Sequence, residues 1–276
     1  MAATDMQVVL DKLHQLPVMP LVIQEVISSF NNPDLDARYL GGKIAQDQGL
    51  TAKVLRVVNS AFYALPKKIV SMQDAVVIMG FNNVRSLVLS AAFLRAFPSA
   101  GEGYFDNYAH WKRSFRVAIY AKALAKCMKY DQEMAFTSGM FYDIGQLMMD
   151  ICIHEQFDKI LEQHAQSGQS LLEIEQLLLG FDHAMVGAEV VKRWNFPSEI
   201  VHVIRYWRTP DQIPFELVTA IVHVAVLIEN GLRGEGLVEQ LPQFSRNQFE
   251  IHWEQIEPCL PDAAQVDASV DLLLAI

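Results

Sequence analysis

Apolar positions recur three and four residues apart along most of this chain, and no alternating run is long enough to argue for a sheet. Pro17-Val18-Met19-Pro20 marks a helix start, and Leu21, Val22, Val26 and Ser29 then keep helical spacing. Asn31-Asn32-Pro33 ends that helix, because proline cannot continue it and asparagine favours a turn. Asp36 is placed to cap a helix reaching about Asp47, and Gly49 and Thr51 open another with Leu50, Val54, Leu55 and Val58 on one face. Asn59 is set to fix the corner at its end, with Tyr63 as a polar partner. Ser71 predicts a short helix to Met79 with Gly80 as its stop, and Asn82 or Asn83 starts a longer one through Phe97.

Gly101 to Gly103 is the best boundary between two helical units, residues 1–103 and 104–276. A long helix from about Tyr104 or Asp106 to Tyr130 opens the second unit. Asp131 can cap a helix to Gly139, a Tyr142-Asp143 corner follows, and Ser170 with Glu173 fits a capping box. Helices are expected from about His183 to Trp194, Pro197 to Trp207 and Pro214 to Asn230. Gly231 to Gly236 reads as a turn, followed by short helices around Gln248 and from Ala263 to Leu274. The predicted class is all-α, with two packed helical bundles.

Composition narrows this further. With 276 residues, 51% apolar and 20% charged, the chain can bury a sizeable core and is not disordered. Cys127, Cys152 and Cys259 lie far apart with no CxxC pair, which is neither a zinc framework nor a disulfide scaffold and points to a reducing cytoplasm. No basic-then-apolar leader is read at the start. The longest apolar run, Leu217 to Ile228, is broken by Thr219 and His223 and falls short of the ~20 residues that span a bilayer. A soluble cytoplasmic protein is expected.

The net charge of −10 is unevenly spread, with +9 over residues 41–130 and −16 over 131–276. An acidic total disfavours nucleic acid, while a basic middle can meet an acidic partner, a nucleotide or the chain's own acidic part. Between Trp111 and Lys129 stand Lys112, Arg113, Arg116, Lys122, Lys126 and Lys129, with no acid among them. Of these, Lys112, Arg116, Lys122, Lys126 and Lys129 form a candidate interaction surface, and no DNA-reading motif accompanies them.

Several blocks resemble a known family. They are Leu16-Pro17-x-x-Pro20, Ile44-Ala45-Gln46-Asp47, Leu50 to Tyr63, Ile69 to Val76 and Met79-Gly80-Phe81, continuing through Trp111, Ser114, Gly139 to Gly145, His183, Gly187 and Trp194 to Pro197. In order and spacing they closely resemble the HDOD family, the HD-related output domains of bacterial signalling proteins. The resemblance implies an HD-like second bundle, and with it a place to look for metal ligands.

In HD phosphohydrolases, imidazoles and carboxylates converge on one or two ions that activate water. By the resemblance, the first histidine position holds Arg113, and the adjacent histidine–aspartate pair reads Tyr142-Asp143. His183, four residues before Gly187, matches a further histidine position. Another histidine pair is replaced by Tyr206 and Trp207, and the final aspartate by Val226. Two positions of about six keep a ligand, so the resemblance implies no metal, no cofactor and no phosphodiester hydrolysis. Asp143, buried at a helix end, then needs another partner. Arg113 is one candidate, with Tyr142 or Tyr206 nearby. The alternative is an Arg113 in solvent and an Asp143 that caps a helix. His183 beside Asp182 reads more simply as part of a capped helix start than as a ligand.

No receiver, diguanylate cyclase or EAL-type segment is read in the chain, so the expected function is a stand-alone regulatory output module. It would bind a signalling protein, or a nucleotide or cyclic dinucleotide. A divergent HD-type phosphohydrolase acting on nucleotides is the rival.

Overall fold

The computed structural model describes residues 6–13, 21–30, 32, 37–60, 67–97, 102–214, 216–241 and 253–275, and among these all regular structure is helical. In chain order the helices are α1 (Met6–Leu13), α2 (Leu21–Ser28), α3 (Ala37–Ile44), α4 (Gln48–Val58), α5 (Met72–Met79), α6 (Phe81–Ala96), α7 (Asn107–Cys127) and α8 (Gln132–Phe141). There follow α9 (Ile144–Ser167), α10 (Leu171–Leu179), α11 (His183–Arg193), α12 (Ser198–Tyr206), α13 (Leu217–Glu229), α14 (Gly234–Gln240), α15 (Trp253–Ile256) and α16 (Ala263–Leu274). Single 3-10 turns occur at Pro210–Gln212 and Glu257–Cys259. No helix among the described residues is long and apolar enough to cross a membrane.

Local chemistry accounts for six of the helix starts among the described residues. Asp47, Ser71, Asp106, Asp131, Asp182 and Asp262 each accept a backbone N–H from the first turn that follows, a bond worth ~1 kcal/mol per helix. The capping box expected at Ser170 does not form: Ser170 precedes α10 without a side-chain bond, and Glu173 faces solvent. The box occurs instead at Asp262 and Gln265, where the side chains and backbone amides satisfy one another. Asn59 does lock the end of α4. Its amide donates to Leu55 O and Ile69 O at 2.8 Å each, and its Oδ1 accepts from Ile69 N at 2.7 Å. Tyr63, Asp36 and Gln248 lie outside the described residues. The glycine-rich turn is shorter than expected, because α14 already begins at Gly234.

In the first half, α6 is the hub against α2, α4 and α5, and α3 packs on α5. In the second, α7 pairs with α8 and α13, while α11 packs on α9 and α12. The α7–α8 crossing is close because Gly139 has no side chain: a Cβ there would stand 2.8 Å from Ala118 Cα. The halves meet where α6 lies on α8, and Phe93, Phe97, Phe141, Trp194 and Phe196 interlock there with ring centroids 4.6–6.4 Å apart. Such edge-to-face pairs add to simple burial. The buried side chains form one continuous cluster from Val9 to Leu273.

Two helices cross the expected boundary at residue 103. α1 packs on α9 and α11, so the first helix in sequence lies with the second bundle. An eight-residue helix is too short to hold its shape alone and takes its stability from whichever surface covers its apolar side. At the other end, α16 packs on α7 and reaches α6.

Candidate functional site

The Tyr142-Asp143 corner between α8 and α9 meets the start of α11 at backbone distance. A Cβ on Gly145 would fall 1.7 Å from His183 O, and one on Gly187 would fall 2.9 Å from Gly145 N. Two glycines thus let the helix ends touch, which sets Asp143 against His183.

His183 is buried between two carboxylates. Its Nε2 stands 3.2 Å from Asp143 Oδ1, an ion-pair contact rather than an aligned hydrogen bond. Its Nδ1 lies 2.7 Å from both oxygens of Glu175, and Glu175 Oε2 also accepts from His183 N at 3.1 Å. Glu175 is fully buried on α10. Arg208 Nη2 approaches Asp143 Oδ1 at 3.4 Å, and Gln146 Nε2 donates to Asp143 Oδ2. Two carboxylates, one imidazolium and one guanidinium make a knot with no net charge.

Burial by itself would raise the carboxyl pKa of Asp143, but the His183 charge and then Arg208 overcome it and hold the group far below the usual range. Burial by itself would likewise lower the His183 pKa, and Asp143 and Glu175 reverse this, raising it to about 9. Tyr142 is buried with its ring 5.1 Å from Trp207; burial pushes its phenol upward, so it stays neutral. Near these lies His110, whose pKa burial depresses to about 4 and which therefore stays uncharged at neutral pH. His223 Nδ1 is 2.8 Å from Trp207 O. His110 Nε2, Trp207 Nε1, Arg208 Nη1 and His223 Nε2 are closed from solvent without a protein partner.

Of the residues singled out by resemblance, Tyr142, Asp143, His183 and Trp207 come together. Arg113 does not pair with Asp143: it is exposed and donates to Asn230 Oδ1 at 2.9 Å, and Arg208 takes the place expected of it. Asp143 makes no side-chain cap to α9. Tyr206 turns toward His202, with ring centroids 6.3 Å apart, and Val226 is a buried core residue of α13. Asp182 caps α11 as expected, accepting from Met185 N at 2.8 Å. Glu175, Arg208, Gln146, His110 and His223 were not foreseen. Glu175 alone left a trace, as an acid inside the apolar run Leu171-Leu172-Glu173-Ile174-Glu175, where a buried charge demands a partner.

A metal fits this donor set poorly. Asp143 and His183 face each other, but Arg208 already supplies positive charge to the carboxylate, whereas a catalytic ion needs about three protein ligands. Among the described residues, no group of three or more His, Cys, Asp or Glu side chains is arranged to hold an ion.

Two residues of the basic stripe, Arg116 and Lys122, face the chain's own acids. Arg116 Nε donates to both oxygens of Glu229 at 2.8 Å, and its Nη1 pairs with Asp267 of α16. Lys122 pairs with Glu133 and donates to Asn83 Oδ1 at 3.0 Å. Lys126 and Lys129 remain exposed, and Lys112 is half-buried. Arg116 and Lys122 are therefore internal ties and not part of an open surface.

The knot predicts a pH dependence of stability. The folded pKa of His183 lies above its unfolded value of ~6.5, so its contribution is complete below that pH and is lost as pH rises through about 9. Unfolding free energies from urea titrations should fall across that window in the wild type and fall less in His183→Gln. A flat wild-type profile from neutral pH to above 9 would show that the imidazolium is absent.

Comparison with known proteins places this geometry. A provisional phosphohydrolase from Shewanella amazonensis SB2B superposes with a TM-score of 0.76 at 26% identity, over 96% of this chain and 98% of that one. An HDOD domain protein from Geobacter sulfurreducens superposes with a TM-score of 0.73 at 23% identity, over 98% and 96% of the two chains. A provisional signal transduction protein from Marinobacter aquaeolei VT8 gives 0.74 at 23%, over 95% of this chain and 60% of its own. An uncharacterized protein of Treponema pallidum (strain Nichols) is 25% identical over 250 residues, covering 89% of this chain but 48% of the relative, so the chain spans about half the length of that protein. The HDOD domain model matches residues 16–210, well over half of the sequence. The chain belongs to the HDOD domain family.

Proposed function

We propose that this chain is a bacterial regulatory output module, acting in the cytoplasm by binding a signalling partner, and that the HD-type hydrolytic centre has been converted into a structural knot. One observation carries the reading: the surviving carboxylate and imidazole are committed to each other, to Glu175 and to Arg208. A dication would have to displace Arg208 and recruit further ligands, and the positions that resemblance marks for them hold Arg113, Tyr142, Tyr206, Trp207 and Val226. The family and the relative named as a signal transduction protein support a role in signalling. Protein partners come first, with nucleotides or cyclic dinucleotides as the other ligand class.

The rival, a divergent phosphohydrolase, has one feature in its favour. Glu175 orients His183 through Nδ1 as an outer carboxylate orients a metal-ligating histidine. The two readings separate in one assay with bis-p-nitrophenyl phosphate and cyclic-di-GMP, with manganese or iron supplied. The binding reading expects no turnover above the protein-free control and sub-stoichiometric metal by plasma mass spectrometry. Metal-dependent turnover that disappears in Asp143→Asn would overturn it.

A further inference from the structure

Two helices, one in each bundle, show apolar side chains to solvent, and the charges around them have opposite sign. On the first, Val77 and Ile78 of α5 are 71% and 50% exposed, and Val70, just before the Ser71 cap, is 73% exposed. Exposed Lys67 and Lys68 lead into this face. Residues 37–97 hold eight lysines and arginines against two aspartates. The one acid on α5, Asp74, accepts from Ser71 Oγ at 2.7 Å and sits in the first turn, where the helix dipole favours it.

On the second, Leu177 and Leu178 of α10 are 77% and 48% exposed. Glu173 lies one turn before Leu177, on the same side of the helix, and faces solvent. Residues 144–182 hold seven acids against one lysine. The chain itself covers neither face: α5 packs on α3, α4 and α6, whereas α10 packs on α9.

We propose that the α5 face of one copy docks on the α10 face of a second copy, so that the chain associates with itself head to tail. Each face offers what the other lacks. The valines and isoleucine of α5 would bury the two leucines of α10, and Lys67 and Lys68 would meet Glu173 at the rim. Single exposed apolar residues are ordinary, but clusters rimmed by charge mark interaction sites. One chain carries both complementary faces, which makes a second copy the occupant they fit. Opposite fields also steer the two copies into this pairing and oppose the meeting of like faces. Because the two faces differ, each added copy leaves one of either kind open, and assembly continues unless a ring closes. Few apolar anchors take part, which places the contact in the small, transient class of interfaces.

The test is sedimentation velocity on the purified full chain over a concentration series at low and high salt. The average mass should rise with concentration, and the association should weaken several-fold at high salt as the charges are screened. Val77→Asp and Leu177→Asp should each give a monomer. Both positions are largely exposed, so an unchanged Tm should confirm that each variant folds. An equimolar mixture of the two should restore association and stop at a dimer, since Val77→Asp keeps a sound α10 face and Leu177→Asp a sound α5 face. Symmetric pairing of like faces predicts the reverse: one variant would associate as the wild type does, and mixing would restore nothing. That result, a wild type still monomeric at millimolar concentration, or association indifferent to salt would each overturn the proposal.

Discussion

Replacing Gly145 by alanine should be among the most damaging single substitutions in this protein. The added Cβ would fall 1.7 Å from His183 O, 2.6 Å from His183 C and 2.9 Å from Gly187 N, all backbone atoms that cannot rotate away. Relief requires α9 and α11 to separate, which breaks the Asp143–His183 contact and uncovers apolar residues of both helices. Overpacking with yielding side chains costs ~1–3 kcal/mol, and a backbone collision that also breaks a buried ion pair should exceed ~4 kcal/mol. Chemical denaturation reads this directly. Gly42→Ala is the control: Gly42 lies within α3 and nothing stands within 4 Å of its added Cβ, so the helix should be unchanged or stabilised by up to ~1 kcal/mol. If Gly145→Ala unfolds within 1 kcal/mol of the wild type, the close crossing described above is wrong.

The second large effect belongs to His183. Its change to alanine strands two buried carboxylates, Asp143 facing only Arg208 and Gln146, and Glu175 keeping only the His183 amide. Removing one member of a buried charged set typically costs ~3–5 kcal/mol, because the charges left behind cannot reach water. Glu175→Gln should cost less, about 1–3 kcal/mol, since its amide oxygen can still accept from the imidazole or the backbone. A double-mutant cycle between positions 175 and 183 should therefore show a coupling of at least ~1 kcal/mol. Additive losses would mean that the two groups do not share one network. Neither substitution should create or abolish phosphoesterase turnover if the knot is structural.

These two experiments fall on residues of unequal legibility. Asp143 and His183 could be found from spacing, because the sequence around each keeps a family pattern and each sits at a helix boundary that local chemistry marks. Their partners could not. Arg113 was the natural candidate for Asp143 by position, yet α7 presents it outward to Asn230, and Arg208 reaches the carboxylate from beyond α12. The basic stripe behaves the same way: its charges are plain in the sequence, but their pairing with Glu229, Asp267 and Glu133 depends on which helices lie alongside α7.

What the chain determined by itself was local and periodic: which stretches are helical, and where aspartates and Ser71 start some of them. These follow from interactions within about one helical turn, where side chain and backbone are neighbours by covalent geometry. Only the tertiary structure decided that α1 joins the second bundle, that Arg208 neutralises Asp143, and that Glu175 and Asp143 clasp His183. Such pairings depend on how helices cross, which is settled by the packing of whole apolar faces and by glycines small enough to let backbones touch.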